Sequence, residues 1–194
     1  MVWKQGEAGS TAQTLGLRKV GRWEIRTEPQ EEDNKVLLTG LIMRTAFEIV
    51  ELPYLKTVTR DELEGFVKEN NAIRARWATR LLKLLDAGEK FPTSYPYPVH
   101  AWRLGREMLV IGQGAETVVD YALRFKSEFG QGTWVCGYVD DMIAYIPSRR
   151  VWDEGGYEGG ANLFEYGRPA LRWGSDVEDR IAASVQKLVK QVRE

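Results

Sequence analysis

The sequence has few of the residues that disulfide scaffolds, membrane spans and histidine-based sites require. It contains one cysteine, Cys136, and one histidine, His100. A single cysteine excludes an internal disulfide framework, and a single histidine excludes a site with several histidine ligands. No Ser-His-Asp set can be argued either, because the one histidine lies on the wrong side of the chain. No run of about 18 apolar residues is present, so no transmembrane helix is expected. The amino terminus also has no signal-peptide core.

The charges are nearly balanced, with 27 basic and 28 acidic residues and a net charge of −1. This balance gives no indication of a nucleic-acid or anionic-membrane partner. Hydrophobic residues make up 43% of the 194 residues, which is enough to form a core. We therefore expect a loose tail at residues 1–16, which are small and polar, and a single domain at residues 17–194.

The apolar pattern alternates between strand and helix periods, which predicts an α/β domain with a mixed sheet and packed helices. Predicted strands lie at Trp23 to Pro29, Val36 to Met43, Phe47 to Leu52, Val99 to Leu104, Met108 to Ile111 and Thr133 to Tyr138. Two predicted helices begin at capping-box spacings, Thr59 to Glu62 and Ser175 to Glu178. Two more span Ile73 to Leu85 and Val118 to Phe129. In the last of these, the expected packed positions are Val118, Val119, Leu123 and Phe125.

One unit organises the rest of the chain: a strand from Met108, a glycine turn at Gly112 and Gly114, a helix, and a second strand. The loop after that second strand carries Asp140, Asp141, Tyr145, Tyr157 and Glu158. Loops at the carboxyl ends of strands hold the ligand sites of open α/β sheets. This loop is therefore the candidate site.

The residues alone leave several interpretations open. The GQGAE turn could hold a phosphate at a helix N-terminus, but Thr117 stands where a dinucleotide fingerprint needs glycine. Glu116, placed in the first helical turn, would repel a phosphate or could simply complement the helix dipole. His100 is expected to be structural, and Cys136 a core thiol. Residue chemistry by itself supports a soluble α/β domain with an acidic, tyrosine-rich loop.

Residues 47–180 resemble the carboxyl-terminal part of the catalytic domain of neutral/alkaline ceramidases, in particular the bacterial ceramidase-like branch. The resemblance lies in the order and spacing of six segments: TRDELE, RARWATRLLKLLD, PTSYPYPVHAWRLG, GAETVVDYALRFKSEFG, GYVDDMIAYIPS and EGGYEGG.

This resemblance implies a zinc-dependent amidohydrolase that cleaves the N-acyl amide of ceramide-like lipids. Glu116 would be a zinc ligand, early in a helix after a small-residue turn. Tyr145 would be the second ligand, because Gly137 to Tyr145 follows a G-x-x-N-x-x-x-x-Y arrangement with Asp140 in the asparagine position. Tyr157, directly before Glu158, would polarise the scissile carbonyl as the catalytic tyrosine.

The family's two zinc histidines and active-site serine precede the segment that this chain resembles. The chain is therefore expected to be a fragment, one half of a split enzyme that needs an amino-terminal half on another chain, or an inactive remnant. A non-catalytic binding protein that keeps the fold is the main alternative, and a nucleotide-binding α/β protein is the third. Members of this family are commonly secreted or periplasmic.

Overall fold

The computed structural model describes residues 22–25 and 41–194. Its strands are β1 (Arg22–Ile25), β2 (Leu41–Pro53), β3 (Ser94–Leu104), β4 (Met108–Gln113), β5 (Glu116–Thr117), β6 (Trp134–Cys136) and β7 (Tyr145–Ile146). Its α-helices are α1 (Arg60–Val67), α2 (Ala72–Asp86), α3 (Val119–Phe129), α4 (Arg149–Glu154) and α5 (Val177–Arg193), and a single π-helical turn spans Tyr157–Ala161. The predicted tail at residues 1–16 lies outside the described residues.

The main sheet has five strands in the order β1-β2-β3-β4-β6. Its neighbours pair antiparallel except β4 and β6, which are parallel and are connected through α3. A parallel pair needs such a crossover because a tight turn reverses the chain direction and can therefore join only antiparallel strands. The prediction of an α/β domain with a mixed sheet is confirmed. Cys136, expected in the core, is only partly buried because β6 is an edge strand.

Strand β3 begins earlier than the sequence predicts, at Ser94 instead of Val99. Pro96 and Pro98 lie inside this extension. Both prolines fall where β3 pairs only with β2, because pairing with β4 starts at Val99. A proline lacks the N–H for a ladder bond, so it is tolerated where one side of the strand has no partner.

The two predicted capping boxes have different outcomes. At α1 the box is confirmed: the Thr59 hydroxyl accepts from the Glu62 backbone, and Glu62 accepts from the Thr59 backbone N–H at 2.9 Å. At α5 the box is wrong, since Asp176 is the N-cap and makes no capping hydrogen bond. The carboxylate of Glu178 instead accepts from Arg124 at 2.8 Å and from the Arg149 backbone at 2.6 Å.

The main core lies between one face of the sheet and helices α3 and α5. It includes Tyr97, Val99, Ala101, Ile111 and Trp173, together with the apolar face of α5, which consists of Ile181, Val185, Leu188 and Val192. Helix α3 packs through Tyr121 and Phe125, whereas Val119 and Leu123 are 65% and 63% exposed. The expected packing face of α3 is therefore wrong in part. Tyr121 with Phe125 and Val119 with Leu123 both repeat at four-residue spacing, so the sequence pattern fits either pair, and packing against the sheet determines which pair is buried.

A second, smaller core joins α1 and α2 to residues near Phe164. Trp77 is its central side chain, and its Nε1 donates to the carbonyl oxygen of Arg168 at 2.9 Å. No helix among the described residues is long and apolar enough to cross a membrane.

Candidate functional site

Glu116 and Tyr145 are direct neighbours. They form a register pair in the short parallel ladder of β5 and β7, with Thr117 opposite Ile146. Glu116 is therefore not in the first turn of a helix as expected, because α3 begins only at Val119. The ladder holds residues 116 and 117 extended, and the acid in the first turn of α3 is Asp120. Tertiary pairing thus brings together two residues that are distant in sequence.

Two loops under strain hold this ladder in place. Among the described residues, only Ala115, Tyr138 and Asp140 adopt a positive φ without being glycine, with φ of 58°, 60° and 62°. Such angles are costly for residues with a Cβ, and they concentrate at functional sites. Backbone bonds tie the loops together: Tyr138 N–H donates to Ala115 O at 2.8 Å, and Ala115 N–H donates to Asp141 O at 3.1 Å. These bonds hold Ala115 and Tyr138 in the left-handed conformation.

The carboxylate of Glu116 affects two tyrosine hydroxyls. Interaction with the Glu116 carboxylate is the main cause that raises the pKa of Tyr138 to about 12, and it also raises the pKa of Tyr145. Both phenols therefore ionise at a higher pH than an ordinary tyrosine does. Tyr138 was not predicted as a site residue, although its position directly after Gly137 in the motif could have indicated it.

Tyr157, the third predicted residue, lies beside Tyr145. The two rings are 5.7 Å apart between centroids and meet edge to face. The Tyr157 hydroxyl donates to Glu165 Oε2 at 2.8 Å, and this bond is the main cause that raises the pKa of Tyr157. The structure therefore places Glu116, Tyr145 and Tyr157 in one continuous group. Glu165 is a neighbour that sequence reasoning missed.

Asn162 is a second missed neighbour. Its side chain is fully buried, and neither amide atom has a hydrogen-bond partner among the described residues. The amide is near enough to lower the pKa of Tyr157, opposing Glu165. Buried amides normally have hydrogen-bond partners. The surroundings of Tyr157 therefore include a buried polar group without a partner. A lone asparagine after a glycine pair carried no distinguishing signal in the sequence.

The two aspartates of the loop make different contacts. Asp141 accepts from the Tyr95 hydroxyl at 2.8 Å and from the Met142 backbone at 2.8 Å. Asp140 Oδ2 lies 2.7 Å from His100 Nε2, so the single histidine has a structural partner and is not a member of the tyrosine group. A shallow cavity of about 530 Å³ adjoins the site, lined by Tyr138, Asp140, Asp141 and Met142.

The glycine turn offers little to a phosphate. Gly112 continues β4, so the turn itself begins only at Gly114, against the sequence expectation. The Gly114 N–H donates to Pro98 O at 3.1 Å, and the Ala115 N–H is engaged by Asp141 O. These N–H groups are therefore occupied by protein acceptors, whereas anion binding at such turns needs them free.

No family model, curated protein or solved structure matches this chain. A functional assignment therefore depends on the residues of the site. Within residues 43–194, no group of three or more histidine, cysteine, aspartate or glutamate side chains could hold a metal ion. The β5–β7 ladder brings one carboxylate and one phenol together, those of Glu116 and Tyr145.

Proposed function

We propose that this chain is the carboxyl-terminal portion of a zinc-dependent amidohydrolase resembling neutral ceramidase. The observation that carries the proposal is the pairing of Glu116 with Tyr145 in one ladder, with the Tyr157 ring 5.7 Å from that of Tyr145. These are the three residues that the sequence resemblance implies for the site. Their convergence from separate segments is what a shared site requires.

Zinc would be held by Glu116 and Tyr145 together with two histidines from an amino-terminal portion, on a preceding segment or a partner chain. Two oxygen donors alone form an incomplete shell, because protein zinc sites use at least three protein ligands. When bound, zinc lowers the pKa of a coordinated water towards neutrality. Tyr138, which interacts with Glu116, would hold the carboxylate in its ligating orientation, as outer hydrogen bonds to metal ligands generally do.

Tyr157 would bind the carbonyl oxygen of the scissile amide. Its pKa is raised, so the hydroxyl keeps its proton near neutral pH and can donate to an oxygen that gains negative charge. Glu165 accepts from this hydroxyl at 2.8 Å, so the substrate carbonyl would have to compete with Glu165 for the proton. Exposed Met142 and Tyr138 provide an apolar rim suited to the acyl chain of a ceramide-like lipid.

A non-catalytic protein that keeps the fold is the second candidate. It is favoured by the site's two oxygen donors, since the described residues hold no group of three or more histidine, cysteine, aspartate or glutamate side chains that could bind a metal ion. In that case the tyrosine group would serve binding alone. The two candidates differ in whether a histidine-bearing portion restores hydrolysis.

The decisive experiment co-expresses the chain with the coding region directly upstream and measures release of fatty acid from ceramide. We expect zinc-dependent hydrolysis that Glu116→Gln abolishes, because the change removes an anionic ligand. Glu64→Gln, an exposed change on α1, is the matched control and should keep full activity. An assembly that contains the histidines, binds zinc and hydrolyses no amide would refute the enzyme assignment in favour of the binding protein.

The chain by itself gives a complementary test by calorimetric zinc titration. We expect no tight stoichiometric binding, since two oxygen ligands hold zinc weakly. Submicromolar binding by the lone chain would show that other residues are the ligands.

A further inference from the structure

Four tyrosines and two glutamates lie together around the β5–β7 ladder. Glu116 is the main cause of the raised pKa of Tyr138, and the phenol of Tyr166 contributes to it. Glu165 is likewise the main cause of the raised pKa of Tyr157, again with a contribution from Tyr166. Tyr166 therefore lies near both of the other phenols. We call this surface the acidic aromatic patch and define it by Glu116, Tyr138, Tyr145, Tyr157, Glu165 and Tyr166.

The two carboxylates of the patch have no positive partner. In the part of the chain that the structure describes, no lysine, arginine or histidine forms an ion pair with Glu116 or Glu165. Both carboxylates face phenols instead, and the Tyr157 hydroxyl donates to Glu165 at 2.8 Å. The patch thus carries negative charge that its neighbours do not neutralise, and such a surface attracts cations.

The aromatic rings of the patch are not covered by an arginine, although the chain covers other rings in that way. Arg168, for example, lies 4.7 Å from the centre of the Tyr95 ring. Among the described residues, no such cation lies over any of the four tyrosines of the patch. Tyr138, Tyr157 and Tyr166 are 53%, 54% and 39% exposed. The electron-rich faces of these rings are therefore accessible to a cation from solution.

A buried amide beside Tyr157 independently points to a ligand. Asn162 is fully buried, and neither of its amide atoms has a hydrogen-bond partner among the described residues. Glu165 raises the pKa of Tyr157 and the Asn162 amide lowers it, so the amide lies close to that hydroxyl. Asn162 also ends the single π-helical turn that begins at Tyr157, and such turns are frequent at functional sites. Its unpaired carbonyl oxygen lacks an N–H donor.

The ligand class that fits these features is a primary alkylammonium ion. Its charge matches the carboxylates, its N–H groups match Glu165 and Asn162 as acceptors, and the tyrosine rings match both the charge and an alkyl chain. A metal ion fits this chain alone less well, since within residues 43–194 no three histidine, cysteine, aspartate or glutamate side chains could hold one. A quaternary ammonium ion has the charge but no N–H donor.

Space for an alkyl chain adjoins the patch. Tyr138 belongs to the patch and also lines the cavity of about 530 Å³ beside it. Met142, another lining residue of that cavity, is 76% exposed and offers an apolar thioether. Tyr145 connects the two ends of the patch, because its ring lies 5.7 Å from that of Tyr157 and its pKa is raised by Glu116, the neighbour of Tyr138.

We propose that the acidic aromatic patch is a binding site for a small primary alkylammonium ion. The ammonium group binds to Glu165 beside Tyr157, and the alkyl chain runs over Tyr145 towards Met142. Glu116 adds negative potential without direct contact. The proposal goes beyond amide hydrolysis and does not depend on zinc, because this chain supplies every residue of the patch.

The test titrates hexylammonium into the full chain in the presence of a metal chelator and follows backbone amide signals by NMR. We expect saturable binding, with the shifted signals at the patch. Hexanol, the neutral isostere, should bind at least about tenfold more weakly, because it lacks the charge that the carboxylates attract. Trimethylhexylammonium should also bind more weakly than hexylammonium, because it has no N–H group to donate. Added salt should weaken the binding of hexylammonium.

Variants locate the two parts of the site. Glu165→Gln should weaken hexylammonium binding at least about fivefold, because a hydrogen bond to a charged acceptor is stronger than one to a neutral acceptor. Tyr157→Phe keeps the ring and releases Glu165 from the Tyr157 hydroxyl, so this variant should bind at least as tightly as the wild type. Tyr157→Leu removes the ring and should bind more weakly. Glu64→Gln, an exposed change on α1, is the matched control and should leave binding unchanged.

Five results would overturn the proposal. They are the absence of saturable hexylammonium binding, equal binding of hexanol, equal binding of trimethylhexylammonium, shifts confined to residues outside the patch, and a Glu165→Gln variant that binds as tightly as the wild type. Circular dichroism of each variant excludes misfolding as the cause of weaker binding. Because the chelator removes metal, failure of zinc-dependent hydrolysis and failure of ammonium binding are separate outcomes.

Discussion

His100 Nε2 lies 2.7 Å from Oδ2 of Asp140, and Asp140 holds a left-handed backbone with φ of 62°. Both features limit which residue types can occupy position 140. Asp140→Asn should change the free energy of unfolding by less than about 0.5 kcal/mol, because asparagine tolerates this conformation and still bonds to His100. Asp140→Ala should cost about 1–2 kcal/mol, since alanine strains there and loses the bond. Urea unfolding measures both.

Asp140→Gly separates strain from the lost hydrogen bond. Glycine also removes the carboxylate but adopts a positive φ without steric cost. We therefore expect the glycine variant to be more stable than the alanine variant. Equal losses would mean that the His100 contact, and not the backbone, determines the stability at this position.

Glu116→Gln should make Tyr138 and Tyr145 more acidic. Interaction with the Glu116 carboxylate raises the pKa of Tyr138 to about 12 and raises the pKa of Tyr145, so a neutral amide should let both phenols ionise at lower pH. Alkaline titration of tyrosinate absorbance measures the shift. The control Glu64→Gln should leave the titration curve unchanged, and an unchanged curve for Glu116→Gln would place that carboxylate away from both hydroxyls.

Two buried tyrosines should respond oppositely to loss of the hydroxyl. Tyr97 donates to Gly114 O at 2.6 Å, so Tyr97→Phe leaves a buried carbonyl unpaired and should cost about 1–3 kcal/mol. The buried hydroxyl of Tyr54 has no hydrogen-bond partner among the described residues. Tyr54→Phe should therefore be neutral or slightly stabilising in urea unfolding. A larger loss for Tyr54→Phe than for Tyr97→Phe would contradict this assignment.

Asp120 should contribute to acid sensitivity. Hydrogen bonding to Arg150, and then to Ser148, holds the pKa of Asp120 below its ordinary value. A carboxylate whose pKa is lower in the folded state than in the unfolded state stabilises the fold at a pH above its unfolded-state pKa. This stabilisation is lost as the pH falls through the folded-state pKa. Asp120→Asn should therefore reduce the loss of stability below about pH 4. Asp61→Asn, an exposed change on α1, serves as the control in acid unfolding curves.

Local patterns in the sequence determined most of the secondary structure. The capping box at Thr59 and the apolar period of α2 and α5 specify helices by contacts within a few residues, so no knowledge of the tertiary fold was needed. The candidate site residues were proposed from the resemblance of the Gly137 to Tyr145 segment and the Tyr157–Glu158 pair to the ceramidase motifs. These signals depend on neighbours along the chain.

Only the tertiary structure decided how these pieces meet. Glu116 is extended, and not helical, because Tyr145, far along the chain, pairs with it. Glu178 lost its capping role because Arg124 and the Arg149 backbone reach its carboxylate. Tyr138 joined the site for the same reason, whereas Asn162 and Glu165 lie within eight residues of Tyr157. The outcomes at Glu116 and Glu178 rest on long-range contacts, whose energies of about 1 kcal/mol exceed the local preferences and leave no periodic trace in the sequence.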